Sequence, residues 1–132
     1  MNTTVLMTAS ALTLGLLGLA GSFLPHELLH LAGLPVTHGL AVAVQLVAAV
    51  VMGFAALNWM AKDSMIGGIY QRPIVVGNTL HYVVGALTLV KAVLSTPSVP
   101  VVLLTVVYAV FALGFGFVMF GAPRTPHAPE QR

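Results

Sequence analysis

Cysteine is absent from the 132 residues. That excludes disulfides, thiolate nucleophiles, cysteine-ligated iron–sulfur clusters and covalently attached c-type haem, and leaves histidine, carboxylate, amide and hydroxyl chemistry. Charge is scarce as well. Five Lys/Arg and three Asp/Glu amount to 6% of the chain and a net charge of +2, with no basic cluster able to follow nucleic-acid phosphates. A nucleic-acid partner is not expected. Proline, though present eight times, is missing from the interiors of the longest segments. Pro25 and Pro35 fall in the first connection, Pro73 just before the third run, Pro97 and Pro100 at the junction of the third and fourth, and Pro123, Pro126 and Pro129 near the C-terminus.

What fills the chain instead is apolar. Hydrophobic residues make up 58% and concentrate in four runs, Thr3–Phe23, His38–Ala61, Ile74–Leu94 and Val99–Phe120. About 20 helical residues at ~1.5 Å rise match a hydrocarbon core of ~30 Å. The expected fold is therefore all-α: a polytopic, four-transmembrane-helix antiparallel bundle spanning residues 1–121. Gly18-Leu19-Ala20 has the small residues of a signal-peptidase site. However, Met1–Thr4 lacks the basic residues of a signal peptide and the run is long enough to span, so it reads as a retained helix. Residues 122–132 carry too little apolar surface to fold and read as a disordered tail.

Basic residues resist translocation. Lys62, Arg72, Arg124 and Arg132 fall on the face shared by both termini and the second connection, and only Lys91 falls opposite. Both termini are thus expected to be cytoplasmic. Ala11, Gly15, Gly18 and Ser22 form one small-residue face of the first helix, expected to meet another helix. Tyr108, Phe111, Phe115, Phe117 and Phe120, with Gly114 and Gly116, make the fourth run either a packing surface or an aromatic wall around a lipophilic ligand. Gln45 and Lys91 are nearly level, which suggests a hydrogen bond.

Two segments carry candidate chemistry. His26-Glu27-Leu28-Leu29-His30 satisfies the H-E-x-x-H pattern, in which two histidines four apart on a helix share zinc while the glutamate activates its water. The longer metzincin pattern fails at its third ligand, where Val36 stands, and His38 follows two residues late. A metal would have to be held by His26, His30, His38 and Glu27. The segment also reads as a short interfacial helix, with Pro25 in its first turn, Gly33 at its stop and Leu24, Leu28 and Leu31 as its apolar side.

The second segment lies where the second and third runs approach. Counting from a connection centred near residue 67 or 68 puts Asn58 level with Asn78, and His81 opposite Gly53 or Met52. Asn78, His81 and Tyr82 share a face by their spacing. A polar group in lipid must find a partner, and an ionisable one within a span is a functional hypothesis. His81 reads either as a helix-locking histidine or as a ligand, proton or quinone-like head-group contact. Asn58, Arg72, Asn78, His81 and Tyr82 are the candidate ligand-binding set, Gly67-Gly68 a tight turn beside it, and Trp59 with Lys62 an interfacial anchor.

Asn58-Trp59, Gly67-Gly68-Ile69-Tyr70-x-Arg72-Pro73 and Gly77-Asn78-x-x-His81 together resemble a block in small, uncharacterised bacterial four-helix membrane proteins, loosely of the DoxX-like kind. The resemblance implies a bacterial inner-membrane bundle and, for some members, a link to quinone-coupled oxidation. Three classes of function follow from the chain as a whole. One is a non-catalytic bundle that binds a lipid or quinone-like molecule between the second and third spanning helices, or serves as an accessory subunit of a larger complex. The second is a zinc-binding protein, and the third a transporter or channel that needs homo-oligomerisation to form a pathway.

Overall fold

The computed structural model describes residues 2–63 and 71–121. The Gly67-Gly68 turn, Tyr70 and the 122–132 tail lie outside the described residues. Among the described residues there are five helices: α1 (Thr3–Phe23), α2 (Pro25–Leu31), α3 (His38–Ala61), α4 (Gln71–Ser95) and α5 (Val99–Gly121). Four of them, all but α2, are long and apolar enough to cross a membrane.

Their ends follow from local chemistry. The Asn2 side chain accepts from Thr4 N at 3.1 Å and caps α1, while Thr37 Oγ1 accepts from Leu40 N at 3.3 Å and caps α3. Pro73 and Pro100 sit in the first turns of α4 and α5, where the missing N–H would have no intrahelical acceptor anyway. α4 begins at Gln71, three residues before the apolar run, because a polar first turn propagates a helix without contributing hydropathy.

The helices associate as two pairs. α1 lies along α3 and α4 along α5, and the pairs touch each other far less. Small residues set the first pairing. A Cβ on Gly18 would collide with Met52 Cγ and stand 3.1 Å from Ala48 O, and one on Gly21 would stand 2.7 Å from Ala48 Cβ. The small-residue face of α1 is therefore spent on α3, which lets the backbones approach where side chains would hold them apart.

Buried positions are distributed unevenly along the bundle. α1 and α3 bury residues along their whole length, from Thr3 to Gly21 and from Ala41 to Ala61. Among the described residues α4 buries only Val75, Asn78 and Tyr82, and α5 only Tyr108, Phe111, Phe115 and Val118. The two pairs therefore meet in the half of the bundle that holds Thr3, Ala61, Gln71 and Gly121. In the other half α4 and α5 present Leu87, Val90, Leu94, Val99, Leu103 and Val106 outward, as lipid-facing helices do.

This geometry corrects one expected contact. Gln45 Nε2 donates to Ser22 O of α1 at 3.2 Å and not to Lys91, because α3 in that half is paired with α1. The apolar side of α2 read from the sequence could meet either lipid or the bundle, and the residues that α2 buries are others. Pro25 and Leu29 are buried, whereas Leu24 and Leu31 are exposed.

Gly18→Val should overpack the α1–α3 seam and destabilise the protein by about 1–3 kcal/mol. Gly53→Val, at a position with open space beside it, should cost well under half of that. Unfolding of the detergent-purified variants by titration with denaturing detergent checks this; equal effects at the two sites would mean that the seam is not close-packed.

Candidate functional site

The structure brings Asn58, Asn78 and Tyr82 into one buried hydrogen-bonded set and adds a member that counting along the second and third runs does not reveal, Ser10 of α1. Asn58 Nδ2 donates to Ser10 Oγ at 2.8 Å and to Asn78 Oδ1 at 2.8 Å. Asn78 Nδ2 returns a bond to Asn58 Oδ1 at 2.6 Å and donates its second hydrogen to Ile74 O at 2.9 Å. Ser10 Oγ and Tyr82 Oη are 2.6 Å apart. Ser10, Asn58, Asn78 and Tyr82 are each wholly buried. All four amide hydrogens of the two asparagines are used, which is the condition for holding such groups away from water.

The ring of Tyr82 extends this set to the fourth spanning helix. It stacks on Phe111 with centroids 4.9 Å apart and on Phe115 at 5.6 Å, and meets Tyr108 edge-on at 5.2 Å. Offset stacks and T-shaped contacts of this kind contribute about 0.5–1.5 kcal/mol each beyond area burial. Tyr108, Phe111 and Phe115 thus form a packing surface on Tyr82, whereas Phe117 and Phe120 are exposed.

His81 lies beside the set without joining it. With α4 starting at Gln71, the histidine is about 15 Å from the first residue of the helix and near the middle of its length. Its Nε2 is 3.3 Å from Tyr108 Oη. Its ring stacks on Phe54 with centroids 4.8 Å apart and planes at 23°. Phe54, not Gly53 or Met52, therefore faces the imidazole; Gly53 is exposed and Met52 lies against Gly18.

The reason is in the spacing on α4. Gly77 and Gly85 stand one turn either side of His81. A Cβ on Gly77 would be 3.6 Å from the Phe54 ring, and one on Gly85 would be 2.6 Å from two atoms of the Tyr108 ring. Gly-x-x-x-His-x-x-x-Gly is thus a seat for two aromatic rings with an imidazole between them. That pattern is legible in the sequence and is the signal that identifies Phe54 and Tyr108. Ser10 has a weaker one: it continues the buried face of α1 one turn before Leu14 and two before Gly18.

His81 is only partly buried. Its Nδ1 makes no hydrogen bond among the described residues and is not among the enclosed, unpaired polar atoms. Arg72 is apart from all of this, exposed in the first turn of α4. Trp59 is half exposed with Lys62 Nζ 3.4 Å above its ring centroid, a cation–π contact suited to a membrane–water boundary.

On α2, His26, Glu27 and His30 are all exposed, as is His38 at the start of α3. Among the described residues no three histidine or acidic side chains stand close enough together to hold a metal ion. An open apolar hollow of about 270 Å³ lies at the α4–α5 turn, lined by Pro97, Ser98, Val99, Val102 and Leu103, and is unrelated to either segment.

Fold and site together define a small multi-pass membrane protein in which a buried polar cluster ties three of the four spanning helices, α1, α3 and α4, and the Tyr82 ring reaches the fourth. No family model, curated protein or solved structure matches the chain.

Removing one asparagine strands one donor hydrogen and the side-chain oxygen of the other, so Asn58→Leu and Asn78→Leu should each cost about 1–3 kcal/mol. The double variant should cost less than their sum, by about 0.6–1.7 kcal/mol as for other interhelical hydrogen bonds in membranes. A double-mutant cycle on detergent unfolding measures the difference, and strict additivity would show that the reciprocal amide pair is not formed.

Proposed function

We propose that the protein is a non-catalytic membrane bundle that binds an uncharged lipophilic molecule, a lipid or quinone-like compound, at His81, alone or as an accessory subunit of a larger complex. The observation that supports this most directly is the unused Nδ1 of a half-buried histidine at mid-span. An intramembrane ionisable side chain is costly there, and this one leaves a hydrogen-bonding position unused among the described residues. Phe54 and Tyr108 flank the ring and favour a flat or chain-like apolar partner.

Asn58, Asn78 and Tyr82 take a different part in this reading from direct contact. Their hydrogen bonds are satisfied internally, so they hold His81 in place. Arg72 stands apart from His81 at the exposed start of α4, where a guanidinium suits lipid phosphate. A bacterial inner membrane with both termini cytoplasmic accords with the DoxX-like resemblance and with Lys62 and Arg72 standing against a lone Lys91.

A homo-oligomer is a second reading. Ala49, Gly53 and Ala56, spaced four and three apart on α3, are exposed where the first pair has no neighbour.

Native mass spectrometry of protein released from mild detergent should show a neutral lipophilic adduct on the wild type, reduced about tenfold or more in His81→Ala with helicity retained. The same adduct on both proteins, or none on either, would leave His81 as a packing residue only. The spectrum also reports the number of chains per particle.

Because cysteine is absent, single engineered cysteines report topology without background. Asp63→Cys should be shielded from an impermeant maleimide in intact cells and Thr96→Cys labelled; the reverse pattern would invert the orientation.

A further inference from the structure

The H-E-x-x-H segment is not used by the lipophilic site, yet it forms a helix with a defined stop. α2 is a helix of seven residues, Pro25–Leu31, so His26 and His30 both lie within it. Positions four apart on an α-helix differ by about 40° around the axis, so the two imidazoles stand on one face a single turn apart. That face is available because Pro25 and Leu29 occupy the inner side, with Leu29 only 3% exposed, while both histidines are exposed.

The helix is also held at its far end. Gly33 adopts φ +72°, its N–H donates to His30 O at 3.0 Å, and Leu34 N–H donates to Leu29 O at 2.9 Å. This is the paired hydrogen bonding of a Schellman stop, and glycine takes the left-handed position without steric cost. The turn carrying His30 is therefore fixed relative to that carrying His26. Among the described residues neither imidazole, nor the exposed Glu27 carboxylate between them, is engaged in a hydrogen bond or ion pair.

From this geometry we propose that α2 is a two-point chelate for a divalent transition metal, with His26 and His30 as the protein ligands. Imidazole nitrogens suit Cu²⁺, Ni²⁺ and Zn²⁺, and the expected order places Cu²⁺ above Zn²⁺. The described residues supply no third ligand, so water completes the coordination sphere. The site is an exposed docking point for the metal and not the closed tetrahedral shell of a structural zinc. Glu27 adds a negative charge beside it that favours a cation.

The test is a Cu²⁺ titration of the full chain, purified in detergent without a histidine tag and carrying His127→Ala to remove the one histidine outside the described residues. Calorimetry should give one ion per chain, and electron paramagnetic resonance should show splitting from two equivalent nitrogens. His26→Ala and His30→Gln should each weaken binding about tenfold or more. His38→Ala should leave it unchanged, and Zn²⁺ should bind more weakly than Cu²⁺. Unaltered binding in the His26 and His30 variants would overturn the proposal in favour of the N-terminal amine. A loss in His38→Ala equal to theirs would overturn it in favour of a three-histidine site.

Discussion

The bundle depends on the reciprocal amide pair between Asn58 and Asn78 and its extension through Ser10 to Tyr82. Around it the two helix pairs share an apolar core, with Met7, Leu14, Val51 and Ala55 in one cluster with Tyr82, Phe111 and Phe115, and the stack of Phe54 on His81. α1–α3 is sealed by glycine and alanine contacts, α4–α5 by aromatic rings on α4, and lipid is as good an apolar solvent as another helix. Without a hydrophobic drive between the pairs, the hydrogen bonds between them define their relative position. Asn58 and Ser10 belong to one pair and Asn78 and Tyr82 to the other, so three of the four side-chain bonds within the set cross that boundary or its hydroxyl link. An unsatisfied amide in hydrocarbon costs more than any single packing contact gains, which gives the set its selectivity for one register.

The same pairing explains which parts of the fold were legible in the sequence. The spans were, because a run of apolar residues bounded by proline and charge has one physical reading in lipid. The start of α4 was missed by three residues, since Gln71, Arg72 and Pro73 continue a helix outside the hydrocarbon and carry no hydropathy signal. The meeting of Asn58 with Asn78 followed from counting back from the connection, because antiparallel helices near their shared turn must be level. The same counting failed for Gln45 and Lys91. It assumes that neighbours in sequence remain neighbours in space along their whole length, whereas α3 and α4 part company beyond His81.

Other parts of the site needed helix rotation, which sequence spacing on a single span does not supply. Ser10 is one of several hydroxyl residues in α1, and Thr8 satisfies itself by bonding Thr4 O at 2.7 Å. Which hydroxyl turns inward is decided by the close approach at Gly18 and Gly21, which rotates Met7, Ser10 and Leu14 towards the centre. Phe54 is similarly hidden as an ordinary membrane aromatic, and Tyr108 stands among the aromatics of the fourth run with nothing to link it to His81, until the glycines at 77 and 85 are read as the space their rings occupy. The absence of a side chain on α4 thus carries as much positional information as the histidine between those glycines.

Saturation of the polar set determines where recognition can occur. Every amide hydrogen of Asn58 and Asn78 is bonded within the protein, so a ligand could reach them only by breaking bonds that hold the pairs together. One turn further along α4 the network ends, and His81 has a nitrogen to spare. The rings on either side of it come from different pairs, Phe54 from α3 and Tyr108 from α5. A molecule bound at His81, as proposed, would touch both halves of the bundle at the place where they begin to diverge. Its affinity would then depend on the angle between them, and by linkage its binding would favour the angle that fits it best.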